Sequence, residues 1–166
     1  MTTNVKFAKV RPDAKIPSKR DEDMGFDIYA CFDEDYIVIE PHETKLIPTG
    51  IASACDSDYG FLVFERGSTG SKGIARRCGV IDSGYRNEWF IGLTNTTNKT
   101  LIISKLEEKQ RYDGCLKNHF IYPYSKAIAQ ALVVPVPKTI IEEVSYEELQ
   151  NIKSERGLGA LGSSGK

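Results

Sequence analysis

Apolar residues in this chain come in short runs, and turn-forming residues end each run before a helical face can build. Val5-Lys6-Phe7-Ala8-Lys9-Val10 alternates apolar and polar positions, the pattern of a half-buried strand. Tyr36-Ile37-Val38-Ile39, Thr44-Lys45-Leu46-Ile47 and Phe61-Leu62-Val63-Phe64 are rich in β-branched or aromatic side chains, and so are Trp89-Phe90-Ile91, Leu101-Ile102-Ile103 and Ala131-Leu132-Val133-Val134. Gly, Pro, Asn and Asp separate these runs, and Glu40-Pro41-His42-Glu43 reads as a turn. The spacing predicts an all-β sandwich or barrel. A short helix is expected to open at Ser145-Tyr146-Glu147-Glu148, where Ser and Glu have capping-box spacing.

Composition narrows the function. At 166 residues the chain is long enough for one domain with a real core. A net charge of −1 gives no global field to draw in nucleic acid or an anionic membrane, and neither is expected as a partner. The only adjacent basic pairs outside the tail, Lys19-Arg20 and Arg76-Arg77, make a thin footprint for nucleic acid. No apolar run approaches the ~20 residues needed to span a bilayer. The opening Met1-Thr2-Thr3-Asn4-Val5-Lys6 does not read as a signal peptide. Cys31, Cys55, Cys78 and Cys115 are widely spaced, which suits reduced thiols in a cytoplasmic protein better than a zinc site. With only His42 and His119, a histidine-based metal site or triad is not expected.

The chemistry concentrates between Arg77 and Trp89. Gly79, Val80 and Ile81 lead to Asp82, Ser83 and Gly84, and then to Tyr85. The pattern predicts strand, tight turn and strand, with a carboxylate and a phenol at the bend. Asp82 can accept a proton, Tyr85 can stack, and Gly84 lets the chain come close to a ligand. Taken alone, Asp and Gly here are equally good as ordinary turn residues.

Other segments carry polar residues in apolar surroundings. Asp27 interrupts Gly25-Phe26-Asp27-Ile28-Tyr29-Ala30, and a carboxylate there needs a paired charge or a nearby metal. Glu65-Arg66-Gly67-Ser68-Thr69-Gly70 has the Arg, hydroxyls and glycines of a phosphate-cradling loop, or of a surface turn. Gln130 follows Ile128-Ala129 and is a candidate phosphate or structural contact. Glu107 to Asn118 is polar, an insertion or a docking loop for a regulatory protein. The end of the chain is glycine-rich and holds Arg156, Gly157, Leu161, Gly162, Ser163, Ser164 and Gly165. It reads as a disordered tail, or as an arm that orders over a bound phosphate.

Gly25-x-Asp27, Arg66-Gly67-Ser68, Gly79-Val80-Ile81-Asp82-x-Gly84-Tyr85, Ile128-Ala129-Gln130 and Arg156-Gly157…Gly162-Ser163-Ser164-Gly165 stand in the order of five motifs. Together they resemble the trimeric dUTPase family, in a phage-like variant. The resemblance implies a β-barrel or jelly-roll domain over residues 1–152 and a C-terminal arm over 153–166 that closes the active site. It implies a homotrimer with shared sites, dUTP as substrate, and dUMP and pyrophosphate as products. Asp82 is then the base for water attack on the α-phosphorus. Arg66, Gly67, Ser68, Gln130, Arg156, Gly162 and Ser163 hold the phosphates. Gly79, Val80, Ile81 and Tyr85 contact base and sugar. Mg²⁺ is the implied cofactor, with Asp27 touching it through water. Three departures stand out: Gly67 replaces a Ser, Ser125-Lys126-Ala127 replace Gly-Asp-Arg, and Leu161 replaces a stacking Phe. Leu161 then covers the base alone, or Trp89 or Phe90 supplies a ring. The runner-up activities are dCTP deamination on the same fold, which needs a Glu where Gly92 stands, and nucleotide-switched binding of a regulator.

Overall fold

The computed structural model describes residues 3–77, 79–106 and 118–159. The chain divides into two units, Met1–Val136 and Pro137–Lys166. The first unit is built almost wholly of strands: β1 (Lys6–Lys9), β2 (Phe26–Ile28), β3 (Tyr36–Ile39), β4 (Thr44–Pro48), β5 (Ile51–Ala54) and β6 (Tyr59–Phe64). A one-turn helix α1 (Gly67–Gly70) follows, then β7 (Ile74–Arg77), β8 (Val80–Ile81), β9 (Phe90–Asn95), β10 (Thr100–Ser104), β11 (His119–Pro123) and β12 (Ala129–Pro135). The second unit holds the short helix α2 (Tyr146–Asn151).

The strands form small sheets ordered β1-β5, β11-β10-β3, β2-β12-β6-β8 and β4-β9-β7. All pairs are antiparallel except β10 with β11. This is the all-β class expected, with neighbours far apart in sequence. Strands β5, β7 and β11 were not legible, because IASA and IARR lack a dense β-branched run and HFIYP carries a proline. The helix opens where expected, with Ser145 as its N-cap: Ser145 Oγ accepts the Glu148 N–H at 3.1 Å.

The inward faces of the sheets meet around Ile28, Ile39, Ile47, Phe61, Trp89, Ile91 and Leu101, all nearly free of solvent. Trp89 is the largest of these. Its ring packs edge-on against Phe61 and Phe7, with centroids 5.0 and 5.7 Å away. Its indole N–H donates to Ser53 Oγ at 3.1 Å, so the one polar atom of the ring is satisfied. Trp89 is therefore core. Phe90, next in the chain, remains 41 % exposed.

One expectation needs correction. The strands on either side of Asp82–Tyr85 do not form a hairpin with each other. β8 pairs with β6, whereas β9 pairs with β4 and β7 in a different sheet. The reason is the burial of Trp89: its N–H donates to Ile51 O at 2.8 Å and its carbonyl accepts the Thr49 N–H at 3.2 Å, drawing the chain away from β8. Gly84 also does not have a positive φ, and nothing lies within 4 Å of the place a side chain would occupy. Its freedom is not what shapes the bend.

Truncating Trp89 to Ala should cost about 3–5 kcal/mol, the range for emptying an aromatic core position. Urea unfolding of Trp89→Ala against the parent checks this through the shift in midpoint at constant slope.

Candidate functional site

Two groups of candidate residues form on the sheet β2-β12-β6-β8. The first is polar and surrounds a cleft of about 780 Å³ lined by Ser18, Lys19, Arg20, Gly25, Asp27, Arg66, Gly67, Ser68 and Gln130, among others. Register explains the grouping. Asp27 on β2 lies opposite Gln130 on β12, and Gln130 lies opposite Phe64 on β6, two residues before Arg66.

Arg66 is the centre of this group. Its Nε donates to Asp27 Oδ1 at 2.9 Å and a terminal nitrogen lies 3.4 Å from Oδ2, so the guanidinium faces the carboxylate with its fork. Both side chains are about one-third exposed. The charge that an apolar strand would not bury alone is thus paired. Gln130 Nε2 donates to Glu65 O at 2.8 Å, which ties β12 to the start of the Arg66 loop. Gly25 leaves room for this amide: a methyl group there would stand 3.1 Å from Gln130 Oε1.

The two hydroxyls in the loop differ. Thr69 is buried, its Oγ1 accepting the Arg66 N–H at 3.0 Å and donating back to Arg66 O at 2.9 Å. That hydroxyl is committed to closing the turn. Ser68 is exposed and lines the cleft, its Oγ 3.5 Å from an Arg66 nitrogen. Ser68 is therefore the hydroxyl available to a ligand. Gly67 is exposed with nothing within 4 Å of a built Cβ, so no steric demand keeps it glycine.

The second group sits on β8 and the bend after it. Gly79 O accepts the Val63 N–H at 2.7 Å, and Val80 and Ile81 pair with Leu62 and Phe61. A Cβ on Gly79 would lie 2.8 Å from Val63 O and closer still to the Arg76 guanidinium, so only glycine fits. Asp82 is exposed. Its carbonyl accepts the Tyr85 N–H at 3.1 Å, and the Tyr85 hydroxyl donates to Glu88 O at 3.0 Å. Arg86 ties the bend down by donating to the carbonyls of Ser83, Tyr85 and Ser53. β8 lies beside β6, the strand that leads to Arg66, and three strands from β2, which carries Asp27.

Arg156 lies in the second unit, where its Nε donates to Gly159 O at 3.1 Å. Leu161, Gly162 and Ser163 lie outside the described residues, as does the segment 107–117.

The chain's basic pairs are spent locally. Lys19 Nζ donates to Asp23 O at 2.8 Å, and Arg20 grips Asp23 with two bonds of 2.9 and 2.8 Å. The Arg77 Nε donates to Thr94 Oγ1 at 3.2 Å. The Arg76 N–H donates to Glu65 Oε1 at 2.8 Å. Partial burial opposes ionisation of Glu65, but that N–H and the two arginine charges outweigh it and hold the carboxyl below its usual range.

Sequence reasoning missed Tyr122. It is 1 % exposed, its hydroxyl donates to Ala127 O at 2.7 Å, and it lines a cavity together with Arg66 and Ser68. Burial raises its pKa, partly offset by the Arg66 charge. A phenol in an otherwise apolar strand, Phe120-Ile121-Tyr122, was the available signal.

An Arg–carboxylate pair, a loop hydroxyl and an amide around one cleft can meet a phosphate group, and an exposed carboxylate and phenol stand after β8. Known proteins narrow the class. The family model for dUTPase matches residues 13–108. The deoxyuridine 5′-triphosphate nucleotidohydrolase of Nautilia profundicola is 34 % identical over 98 % of this chain and 99 % of its own, and that of Paraburkholderia xenovorans is 31 % identical over 86 % and 82 %. Among solved structures, a Staphylococcus bacteriophage 80alpha dUTPase mutant with dUpNHpp superposes with a TM-score of 0.77 at 25 % identity, covering 99 % of this chain and all of that one. The EIAV dUTPase shares the fold, with a TM-score of 0.63 at 20 % identity over 86 % and 98 %. The chain belongs to the dUTPase family.

The deaminase alternative is not favoured. Gly92 stands where its acid is needed, and a Cβ there would meet Arg77 O at 3.1 Å. Glu88 is engaged elsewhere, accepting the Gly50 N–H at 2.8 Å and pairing with Arg11 at 3.2 Å.

The Arg20 hydrogen bonds hold the Asp23 carboxyl at about 2, below its ordinary 3.8. A lowered folded-state value means the contribution is present above the unfolded value and lost as pH falls through about 2. NMR titration of the Asp23 carboxyl carbon should show that midpoint, and Arg20→Ala should return it towards the ordinary range.

Proposed function

We propose that this chain hydrolyses dUTP to dUMP and pyrophosphate, with Asp82 as the base that takes a proton from the attacking water. As a member of the dUTPase family the chain is a dUTP diphosphatase. The observation that carries the mechanistic reading is the presence on one sheet of a phosphate-type cleft at Asp27–Arg66 and of an exposed carboxylate and phenol after the edge strand β8. A homotrimer with shared active sites is part of this reading.

Within such a site Asp82 orients a water and accepts its proton as the water attacks the α-phosphorus. The bond to the β-phosphate oxygen breaks and pyrophosphate leaves. Arg66, the Ser68 hydroxyl and backbone N–H groups of the Gly67 turn meet the negative charge on the phosphates. Gln130 supports this loop through Glu65 O, and supplies an amide to the cleft. Tyr85 packs under the sugar and leaves no room for a 2′-hydroxyl, and the backbone from Gly79 to Ile81 reads the base edge. Arg156, Gly162 and Ser163 on the arm 153–166 close over the phosphates, with Leu161 towards the base.

The donor set fits Mg²⁺ carried chiefly by the substrate. Both Asp27 oxygens face Arg66, and no cluster of three or more metal-binding side chains occurs among the described residues. Asp27 is then a neighbour through water, as suits a hard cation that keeps its hydration. When bound, the ion neutralises phosphate charge. A cytoplasmic location agrees with the thiols of Cys31 and Cys55, which are free. No helix among the described residues is long and apolar enough to cross a membrane.

The direct test is incubation with each dNTP and with UTP in Mg²⁺ buffer, followed by product identification. Pyrophosphate and dUMP should form from dUTP, with little turnover of UTP or dCTP. Ammonia from dCTP would overturn the reading. Asp82→Asn should lower kcat by ~100-fold or more while a non-hydrolysable dUTP analogue still binds. Tyr85→Ala should narrow the preference for dUTP over UTP, read as the ratio of kcat/KM values, with the fold checked by circular dichroism.

A further inference from the structure

Tyr122 is a buried polar side chain that the mechanism above leaves unused. It lies on β11, opposite Ile103 in the sheet β11-β10-β3. Its hydroxyl reaches out of that sheet and donates to Ala127 O at 2.7 Å, in the turn that leads into β12 of the other sheet. The residue is 1 % exposed and lines a second cavity of about 420 Å³, which shares Asp27, Arg66 and Ser68 with the phosphate cleft.

A phenol has one proton, so an oxygen that gives it to Ala127 can otherwise only accept. Two donors stand near it. Burial raises the pKa of the phenol, whereas the Arg66 charge and the side chains of Ser68 and Arg66 lower it, so both side chains face the phenol oxygen. Arg66 spends its Nε and one terminal nitrogen on Asp27, at 2.9 and 3.4 Å, and its other terminal nitrogen lies 3.5 Å from Ser68 Oγ. The carboxylate thus fixes one edge of the guanidinium. An acceptor on the other side fixes its plane, and the remaining N–H groups then stay aimed into the cleft. A neutral phenol does this without cancelling the positive charge, as a second carboxylate would. We propose that Tyr122 is a positioning residue for the reaction: its oxygen holds Arg66 and the Ser68 loop in the orientation that meets the phosphates, while its bond to Ala127 O holds the phenol itself. This assignment rests on the dUTP hydrolysis reading and adds a residue that none of the five motifs contains.

Tyr122→Phe tests it, because the buried ring stays and only the oxygen goes. Arg66 meets charge that the triphosphate carries before reaction begins, so the loss should fall on KM. KM for dUTP should rise about tenfold with kcat within about twofold of the parent, and calorimetric binding of a non-hydrolysable dUTP analogue should weaken by the same factor. Arg66→Lys removes the guanidinium fork, and adding Tyr122→Phe to it should weaken analogue binding by less than about twofold further. Tyr124→Phe is the control, since that ring packs on Phe32 with centroids 4.9 Å apart, and it should bind the analogue as the parent does. A merely structural phenol lowers Tm and moves neither the KM-to-kcat pattern nor the cycle. Unchanged KM and analogue affinity in Tyr122→Phe overturn the proposal. So do a fall in kcat at constant KM, a full loss in the Arg66→Lys background, and an equal loss in Tyr124→Phe. Failure of the underlying reading shows separately, as a parent protein that does not hydrolyse dUTP.

Discussion

Burial of the Trp89 ring organises the first unit of this chain. One side chain touches Phe7 on β1 and Phe61 on β6, and reaches Ser53 on β5 with its N–H. Its backbone ties to Thr49 and Ile51 at the bend between β4 and β5. Because the ring must be inside, the chain leaving Ile81 cannot fold straight back on β8. It arches from one sheet to another, and the arch presents Asp82 and Tyr85 to solvent. A packing demand thus places the catalytic candidates, with Arg86 holding the arch through carbonyls of Ser53, Ser83 and Tyr85.

Across the same sheet, charge pairing does the equivalent work. Asp27 and Arg66, each about one-third exposed, form a charge-paired edge to the cleft. Two of the departures from the family pattern, at Gly67 and at Ser125-Lys126-Ala127, line the cavities beside this edge. Gly67 leaves a surface position where a hydroxyl is usual, and Ser68 stands next to it with an exposed hydroxyl. Ala127, where the family carries Arg, has its carbonyl held by the buried Tyr122. Lys126, where the family carries Asp, adds a positive charge to the adjoining cavity. Replacing an acid by a base and losing an Arg leaves this segment one positive charge richer.

Much of the fold was legible from local patterns. The period-two runs marked β1, β3, β4, β6, β10 and β12, because alternation and β-branching are properties of a few adjacent residues. The Ser145 cap was legible for the same reason. Asp27, Arg66, Ser68 and Gln130 were singled out by residue type, and the structure gathers them in one cleft. What the local sequence did not contain was partner choice. Val80-Ile81 and Phe90-Ile91 look like two arms of a hairpin, yet their pairing is decided by where Trp89 can be buried, a contact with residues far along the chain. The place of Tyr122 beside Arg66 and Ser68 was likewise invisible, since it depends on neighbours brought close only by folding. Residue chemistry and period belong to the sequence; strand partners, the separation of Asp82 from Arg66 and the joined cavities belong to the tertiary structure, because long-range packing selects among alternatives that local preferences leave nearly equal.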